Sequence, residues 1–590
     1  MRSSGLIVVF SALLLVQVAW MSNSVAADRD DASCHWVTQV PSGGVTPVAV
    51  ATGVGPYVYV TGSFSTPTPF DPAFPESPET PLGLDMYLVK YSSNGDFEDV
   101  WTYGECTGDE SEAQYPTALA TGPGGSVYVA GQFNGAIHIG DCGGGADDCD
   151  LYAIGTQANI FIARVASSGD CIWGLSFGNS AEVAVTSLAV DDSGNVFVLG
   201  YFQGDIDFGS GEHSATSRDM FIAVFSSADG TLLWDAAFTS SGTDTPRSIA
   251  LSSSTGFAIT GTFDGNLNLG SGILLTPPVG SVDVFAASFS GDLQSGFSAE
   301  WGSAFGSTLV DPSYDIATSS AGGVLVACGF HGTLTVGGAD YAIADPGGVD
   351  DALIMFDDQG AVEWVLALGG SGSDAIGGVA IDAAGSVLVT GYVTGLAEIG
   401  DIDFGLNDSV RRGLLAKLDG VDGSTVWVLD PFGASNTGNT TAADVSLDEW
   451  DYILVHGHYN SVPLSMGNCT VMTSAPGMFT AKLGGTVTGD SPLVDAVEPG
   501  LSVVAAWPNP FFRSTAISYA LDRHRQVAID IVDVQGRHVR TLYEGLAEAG
   551  INTVEWDGKS DEGDRAPAGV YFCQMDWGLG RDSKSLCLLR

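Results

Sequence analysis

Seven times along this chain a short apolar run ends on a glycine, with an aromatic or β-branched residue close behind it. The copies are YVYVTGSF (57–64), SVYVAGQF (126–133), VFVLGYF (196–202), GFAITGTF (256–263), GVLVACGF (323–330), SVLVTGYV (386–393) and a worn DYILVHGHY (451–459). The equivalent glycines are Gly62, Gly131, Gly200, Gly261, Gly329, Gly391 and Gly457, separated by 69, 69, 61, 68, 62 and 66 residues. A period of that length is one supersecondary unit, so the pattern predicts a repeat array.

Each unit carries four short β-like segments. A small-residue run such as Val185–Val190 or Ile376–Ile381 comes first, and a turn such as Asp382-Ala383-Ala384-Gly385 leads into the signature run. A variable loop then reaches a third segment, often opened by Asp: DMYLVKY (85–91), NIFIARV (159–165), DMFIAVF (219–225), DVFAASF (283–289), DALIMFD (351–357). The fourth is marked by Trp101, Trp173, Trp234, Trp301, Trp364 or Trp427 and often closes on Phe-Gly. Turn-bounded segments without helical periodicity predict a four-stranded antiparallel sheet per unit. The seventh unit has no Trp segment after Phe479–Leu483, whereas Cys34-His35-Trp36-Val37 resembles Cys171-Ile172-Trp173-Gly174. The count balances if the N-terminal strand completes the last sheet. The predicted fold is therefore all-β: a seven-bladed β-propeller over 34–483, closed by its N-terminal strand, followed by a small Ig-like β-sandwich. Small first strands would crowd the axis, tryptophans would fill the wedges between blades, and the signature glycines would be close-packing or bulge positions.

The ends of the chain differ from the repeat. Residues 1–27 read as a signal peptide: Arg2, an apolar run Leu6–Trp20, then Val25-Ala26-Ala27 before Asp28. No later stretch is long and apolar enough to span a bilayer. Residues 484–500 (GGTVTGDSPLVDAVEPG) form a linker, and 501–590 alternate apolar and polar positions, as in VAIDIVDV (527–534), like a compact sandwich. Charge divides at the same place. The whole chain carries −50, but 501–590 hold 10 basic against 12 acidic residues, leaving −48 for the first 500. A polyanion of that size is a poor partner for nucleic acid or anionic lipid.

The repeat, with Val-Tyr-Val-Thr-Gly and a Gly…Trp…Phe-Gly close, resembles the SBBP-type propeller repeats of large secreted or surface bacterial proteins. That resemblance implies architecture and a surface location, and no reaction. In the tail, Trp507-Pro508-Asn509-Pro510-Phe511, IDIVDVQGRHVRTL, Val554-Glu555-Trp556-Asp557-Gly558 and Pro567-Ala568-Gly569-Val570-Tyr571-Phe572 resemble two related modules. One is the Ig-like domain of the flagellar hook-capping type; the other is the C-terminal sorting domain of type IX secretion cargo. The position at the C-terminus favours sorting, which implies secretion or surface-attachment machinery as a partner.

Candidate chemistry is sparse. Nine cysteines suit an oxidising compartment. Cys142 and Cys149 flank DCGGGADDC, and Cys573 and Cys587 lie on two runs of a hairpin-like segment; both pairs are disulfide candidates. Cys328 reads as a buried thiol. Asp205-x-Asp207 and Asp401-x-Asp403 precede Phe-Gly and are weak oxygen ligands for calcium, without a full calcium loop. No other metal or cofactor site is indicated. His456 and His458 have same-side strand spacing, where packing outweighs metal binding. No phosphate loop or nucleophile elbow stands in the right context. Recognition is expected on the rim formed by the variable loops Ser65–Leu84 and Asp141–Ala158. The favoured function is a non-catalytic surface platform for a glycan or protein. The alternative is a polysaccharide hydrolase or lyase with its site on the axis.

Overall fold

A computed structural model of the chain describes residues 34–484 and 502–588 apart from internal segments, of which the longest are 71–80, 105–112, 141–147, 343–348, 433–438 and 508–514. The signal peptide and nearly all of the expected linker lie outside the described residues. The chain divides into two compact units, Met1–Thr486 and Val487–Arg590.

The first unit is all-β and propeller-like. Among the described residues its repeats fold as seven antiparallel sheets, six of them four-stranded and the fifth extended to six by the hairpin Leu396–Ile399 and Ile402–Gly405; the strands follow the order of the sequence in all but the seventh. The third is representative: Glu182–Val190, Val196–Asp207, Glu212–Phe225 and Leu232–Phe238. In the seventh, Thr440–Leu447, Ile453–Tyr459 and Gly477–Leu483 are joined by Cys34–Pro41, which lies antiparallel along Gly477–Leu483. Trp36 there faces Lys482 as Trp427 faces Lys417 in the sixth sheet. The first strand of each sheet touches those of the sheets before and after, and Val45–Thr52 of the first sheet touches Thr440–Leu447 of the seventh. Thr52 donates its hydroxyl to the Leu447 carbonyl across that junction at 3.0 Å.

The signature glycine now has a physical reason. Every first strand carries a bulge, at Pro47/Ala49, Pro116/Ala118, Val185/Ser187, Pro246/Ser248, Ser313/Asp315, Ile376/Gly378 and Ala442/Asp444. The bulge drives a first-strand carbonyl against the second strand, so a Cβ on Gly62, Gly131, Gly200, Gly391 or Gly457 would fall within 3.0 Å of it. At four positions the glycine that closes the fourth strand, after Tyr103, Phe177, Phe305 or Leu368, is explained similarly. A side chain on Gly104, Gly178, Gly306 or Gly369 would strike Asp85, Asn159, Asp283 or Asp350, the polar residue that opens the third strand.

The tryptophans link neighbouring sheets. Trp36, Trp101, Trp173, Trp234, Trp301 and Trp364 each rest on a glycine in the third-to-fourth-strand turn of the next sheet: Gly95, Gly169, Gly230, Gly296, Gly360 and Gly423. All six have φ between +72° and +89°, and a methyl group on any of them would come within 3.2 Å of an indole atom. Three indoles also donate to carbonyls of that turn, Trp36 to Ser93 at 2.8 Å, Trp173 to Ser227 at 3.0 Å and Trp364 to Gly420 at 2.9 Å. Trp427 has no such glycine seat among the described residues. The strands that would carry it, Gly477–Leu483 and Cys34–Pro41, lie at opposite ends of the repeat region.

The sequence pattern predicts variable loops between the second and third strands. Several are amphipathic hairpins. Their outward positions alternate with buried pairs: Ile137 and Ile139, Ile206 and Phe208, Leu267 and Leu269, Leu334 and Val336, Ala397 and Ile399. The pattern Gly-x-apolar-x-apolar-Gly that encodes them is visible once the hairpins are known.

The second unit is a sandwich of Ser502–Trp507, Thr515–Leu521 and Gly550–Trp556 against Arg525–Asp533, His538–Ala547, Gly569–Asp576 and Arg581–Leu588. Trp556 and Tyr571 meet edge-on at its centre with centroids 5.0 Å apart. The Trp556 indole donates to the Lys559 carbonyl at 2.9 Å, and the Tyr571 hydroxyl to that of Pro567 at 2.6 Å.

Two glycines test the role of the indole seat. Gly169 and Gly385 both have positive φ, but a methyl group on Gly385 meets nothing within 4 Å. Urea unfolding of Gly385→Ala should show only the backbone cost, roughly 1–2 kcal/mol. Gly169→Ala should lose about 1–3 kcal/mol more from overpacking against Trp101. Equal losses would mean that the indole contact contributes nothing.

Candidate functional site

Several expected site residues have structural employment. Asp205 and Asp207 lie on the outward face of a hairpin strand, alternating with buried Ile206 and Phe208. Asp207 caps its own turn, accepting from the Gly209 and Gly211 amides at 2.7 and 3.1 Å, and Asp205 accepts from the Ser214 hydroxyl at 2.7 Å. Asp403 pairs through its backbone with Glu398, and Asp401 lies outside the described residues. Among the described residues no group of three or more His, Cys, Asp or Glu is placed to hold a metal ion. His456 is buried with Nδ1 3.0 Å from the Thr480 hydroxyl, and desolvation lowers its pKa to about 3; His458 is exposed.

Both disulfide expectations are corrected. Cys149 bonds to Cys171, because its hairpin folds back onto the fourth strand of its own sheet; Cys142 lies outside the described residues. Cys573 faces Lys584 and Cys587 faces Val570, three positions out of register, so the antiparallel pairing keeps these cysteines apart. Cys328 is a buried thiol, as expected.

The variable rim segments are only partly loops. In Ser65–Leu84, Phe70 is buried against Phe64 and Tyr87, with centroids 5.3 and 4.9 Å away. In Asp141–Ala158, Cys149–Tyr152 is a hairpin strand paired with Ala136–Ile139. The rest of both segments is largely outside the described residues.

Near the axis, four of the residues that follow a bulge, Ser187, Ser248, Asp315 and Asp444, bond neighbouring sheets through their side chains. Asp315 accepts from the Ser248 hydroxyl at 2.7 Å and the Val379 amide at 2.9 Å, so it bonds the sheets on either side. Asp444 accepts from the Val50 amide at 3.1 Å and its neighbour Val445 at 2.8 Å. Ser187 accepts from the Ile249 amide at 3.3 Å. Burial pushes both carboxyls up, and the charge of Asp315 adds to the rise at Asp444, which reaches about 7. A cavity of about 370 Å³ lies at one end of the axis, among first-to-second-strand turns of four sheets. Its Asp191 and Asp382 cap their turns, and Asp382 also pairs with Lys417 at 3.1 Å. Asp315 and Asp444 thus bond neighbouring sheets to one another, and Asp191 and Asp382 order the turns around the cavity.

The larger opening is a cleft of about 600 Å³ on the rim. Ile154 and Ser176–Gly178 of the second sheet form one wall, and Asp205–Gly209 with Glu212 of the third-sheet hairpin form the other. Phe177 and Phe208 meet across it with centroids 5.1 Å apart. Sequence reasoning placed Ile154 in a rim segment and noticed Asp205 and Asp207, but had no signal bringing the two walls together.

With this geometry in place, comparison with known proteins adds one family. Residues 513–576 match the FlgD Ig-like domain, within the C-terminal sandwich. No family model matches the repeat as SBBP-type, and no curated protein sequence matches the chain. Among solved structures, a puromycin hydrolase is 13% identical, covers 81% of this chain and 59% of its own, and has a TM-score of 0.37. PorZ, a surface component of the type IX secretion system of Porphyromonas gingivalis, is 11% identical over 94% of this chain and 100% of its own, at 0.18. Latent PorU from the same organism is 10% identical over 94% and 33%, at 0.14.

The axial acids have a measurable signature. A carboxyl with a raised folded-state pKa keeps a proton that the unfolded chain releases, so its stabilisation is present at low pH and lost as pH rises through the folded value. Asp444 should therefore make the ring lose stability between about pH 4 and about pH 7. Denaturant titrations of the wild type and Asp444→Asn at successive pH values should show the gap between them shifting against the wild type across that window and then levelling. A pH-independent gap would mean that Asp444 titrates normally.

Proposed function

We propose that this chain is a secreted or outer-surface bacterial protein, with a non-catalytic binding platform and a C-terminal module that delivers and anchors it. In this reading the seven sheets are the blades of one ring, closed where Cys34–Pro41 completes the seventh. The circuit of first-strand contacts and the seating of Trp36 on Gly95 support closure.

The observation that carries the platform reading is how the ring uses its charges. Every Lys and Arg between residues 34 and 484 is engaged within the fold. Lys417 and Lys482 pair with turn aspartates at 3.1 and 2.8 Å. Lys90 and Arg164 reach turn carbonyls of the next sheet, Arg247 the Tyr314 carbonyl and Arg412 that of Val410. Arg218 pairs with Glu182, and Arg411 lies over Tyr392. With these cations and the axial acids committed to cohesion, the acidic outer rim is the surface left for recognition. The family match at 513–576, in a module with near-neutral charge, supports a separate role in export and attachment.

Removing Leu501–Arg590 tests the delivery half. The truncated chain should fold, cross the inner membrane and collect in the periplasm, while the full chain reaches the surface. Cell fractionation with surface proteolysis reads the outcome. Undiminished surface exposure of the truncated chain would reduce the module to a structural domain.

A further inference from the structure

The Cys149–Cys171 bond of the second sheet has a matching place in the seventh. In the second sheet Cys171 begins the fourth strand: it pairs with Val165, Trp173 pairs with Arg164, and a bulge separates the two pairs. Its disulfide partner opens the returning strand of the sheet's own hairpin, where Cys149 pairs with Ile139. That hairpin buries Ile137 and Ile139, and Cys149–Tyr152 touches Cys171–Phe177.

Cysteine fills both places again in the seventh sheet. Cys34 begins the strand that completes it, pairing with Leu483 while Trp36 pairs with Lys482, with a bulge between. Cys469 opens the returning strand of this sheet's hairpin, where it pairs with Met466. Leu464 and Met466 are buried as Ile137 and Ile139 are, and Cys469–Val471 touches Cys34–Pro41. In the other five sheets the residue at the place of Cys34 is Phe97, Leu232, Ala299, Val362 or Thr425. Cys34 is itself buried and disulfide-bonded, whereas Cys328 and Cys573 are free thiols and Cys149 is taken by Cys171.

We infer that Cys34 and Cys469 form a disulfide that locks the closing strand onto the seventh sheet. A turn joins the third and fourth strands in the other sheets, but none joins Cys34–Pro41 to Gly477–Leu483. The bond supplies that missing tether. It also fixes two distant points of the chain, which removes more freedom from the unfolded state than a link within one hairpin. The bond forms by exchange with an oxidised dithiol carrier: the two thiols give up two protons and two electrons as their sulfurs join, and the carrier's disulfide is reduced to a dithiol. A reducing cytoplasm keeps both thiols apart, so the ring is latched only after export. That timing rests on the secreted reading, whereas the pairing rests on the sheet alone.

The test uses the full mature chain, sent to the periplasm of a laboratory bacterial host behind a standard leader, so its own export module plays no part. Digestion without reductant, followed by mass spectrometry, should recover the Cys34 peptide joined to the Cys469 peptide, and reductant should release the two. Thermal melting of oxidised Cys34→Ser, Cys469→Ser and the double variant should show one common drop in midpoint, because either change breaks the same bond. Recovery of Cys34 as a free thiol, or joined to Cys106, Cys142 or Cys587, would overturn the inference, and so would drops that add in the double variant. The peptide map is read on the unaltered chain, so it decides the pairing even where a variant fails to fold. Surface delivery is read separately by the truncation, and failure here leaves that reading untouched.

Discussion

An indole resting on the glycine turn of the next sheet is the contact on which the first unit depends. A single four-stranded sheet has two exposed faces and cannot bury both alone. The tryptophan of one sheet covers the turn of the next, and the bulged first strands interlock near the axis, so each sheet is finished only by its neighbour. That logic has no natural end unless the last sheet meets the first. Trp36 supplies the meeting: it belongs to the seventh sheet by pairing and to the first by its contact with Gly95 and its bond to Ser93.

Much of this was legible in the sequence because packing at this density leaves few residue types allowed. The glycines recur because a bulged strand's carbonyl occupies the space of their Cβ, and the Phe-Gly closes recur because a third-strand Asp or Asn fills the space beside them. The offset of Trp36 from the other six tryptophans was enough to place the N-terminal strand. The hairpins were missed because their alternation is short and was absorbed into glycine-rich segments of unequal length. Cys149 was assigned to the wrong partner for a related reason: proximity in sequence favoured Cys142, whereas the hairpin fold brings it to Cys171.

The candidate site was less legible. Asp205 and Asp207 stand out in the sequence as paired acids and weak calcium candidates without a full calcium loop. The structure shows instead the solvent face of a strand whose other face is buried. The two acids line the rim cleft because the hairpin folds against the second sheet, a meeting that composition and spacing do not record.

Closure by the N-terminal strand is the claim from which the rest follows, and native-state hydrogen exchange measures it most directly. The comparison is between the mature chain and one with residues 35–40 replaced by glycine and serine, Cys34 retained. The account predicts that protection falls in Gly477–Leu483 and also in the first sheet, beginning at the Ser92–Asp96 turn beneath Trp36 and extending to Val45–Thr52. Loss confined to Gly477–Leu483, with the first sheet as protected as before, would contradict it.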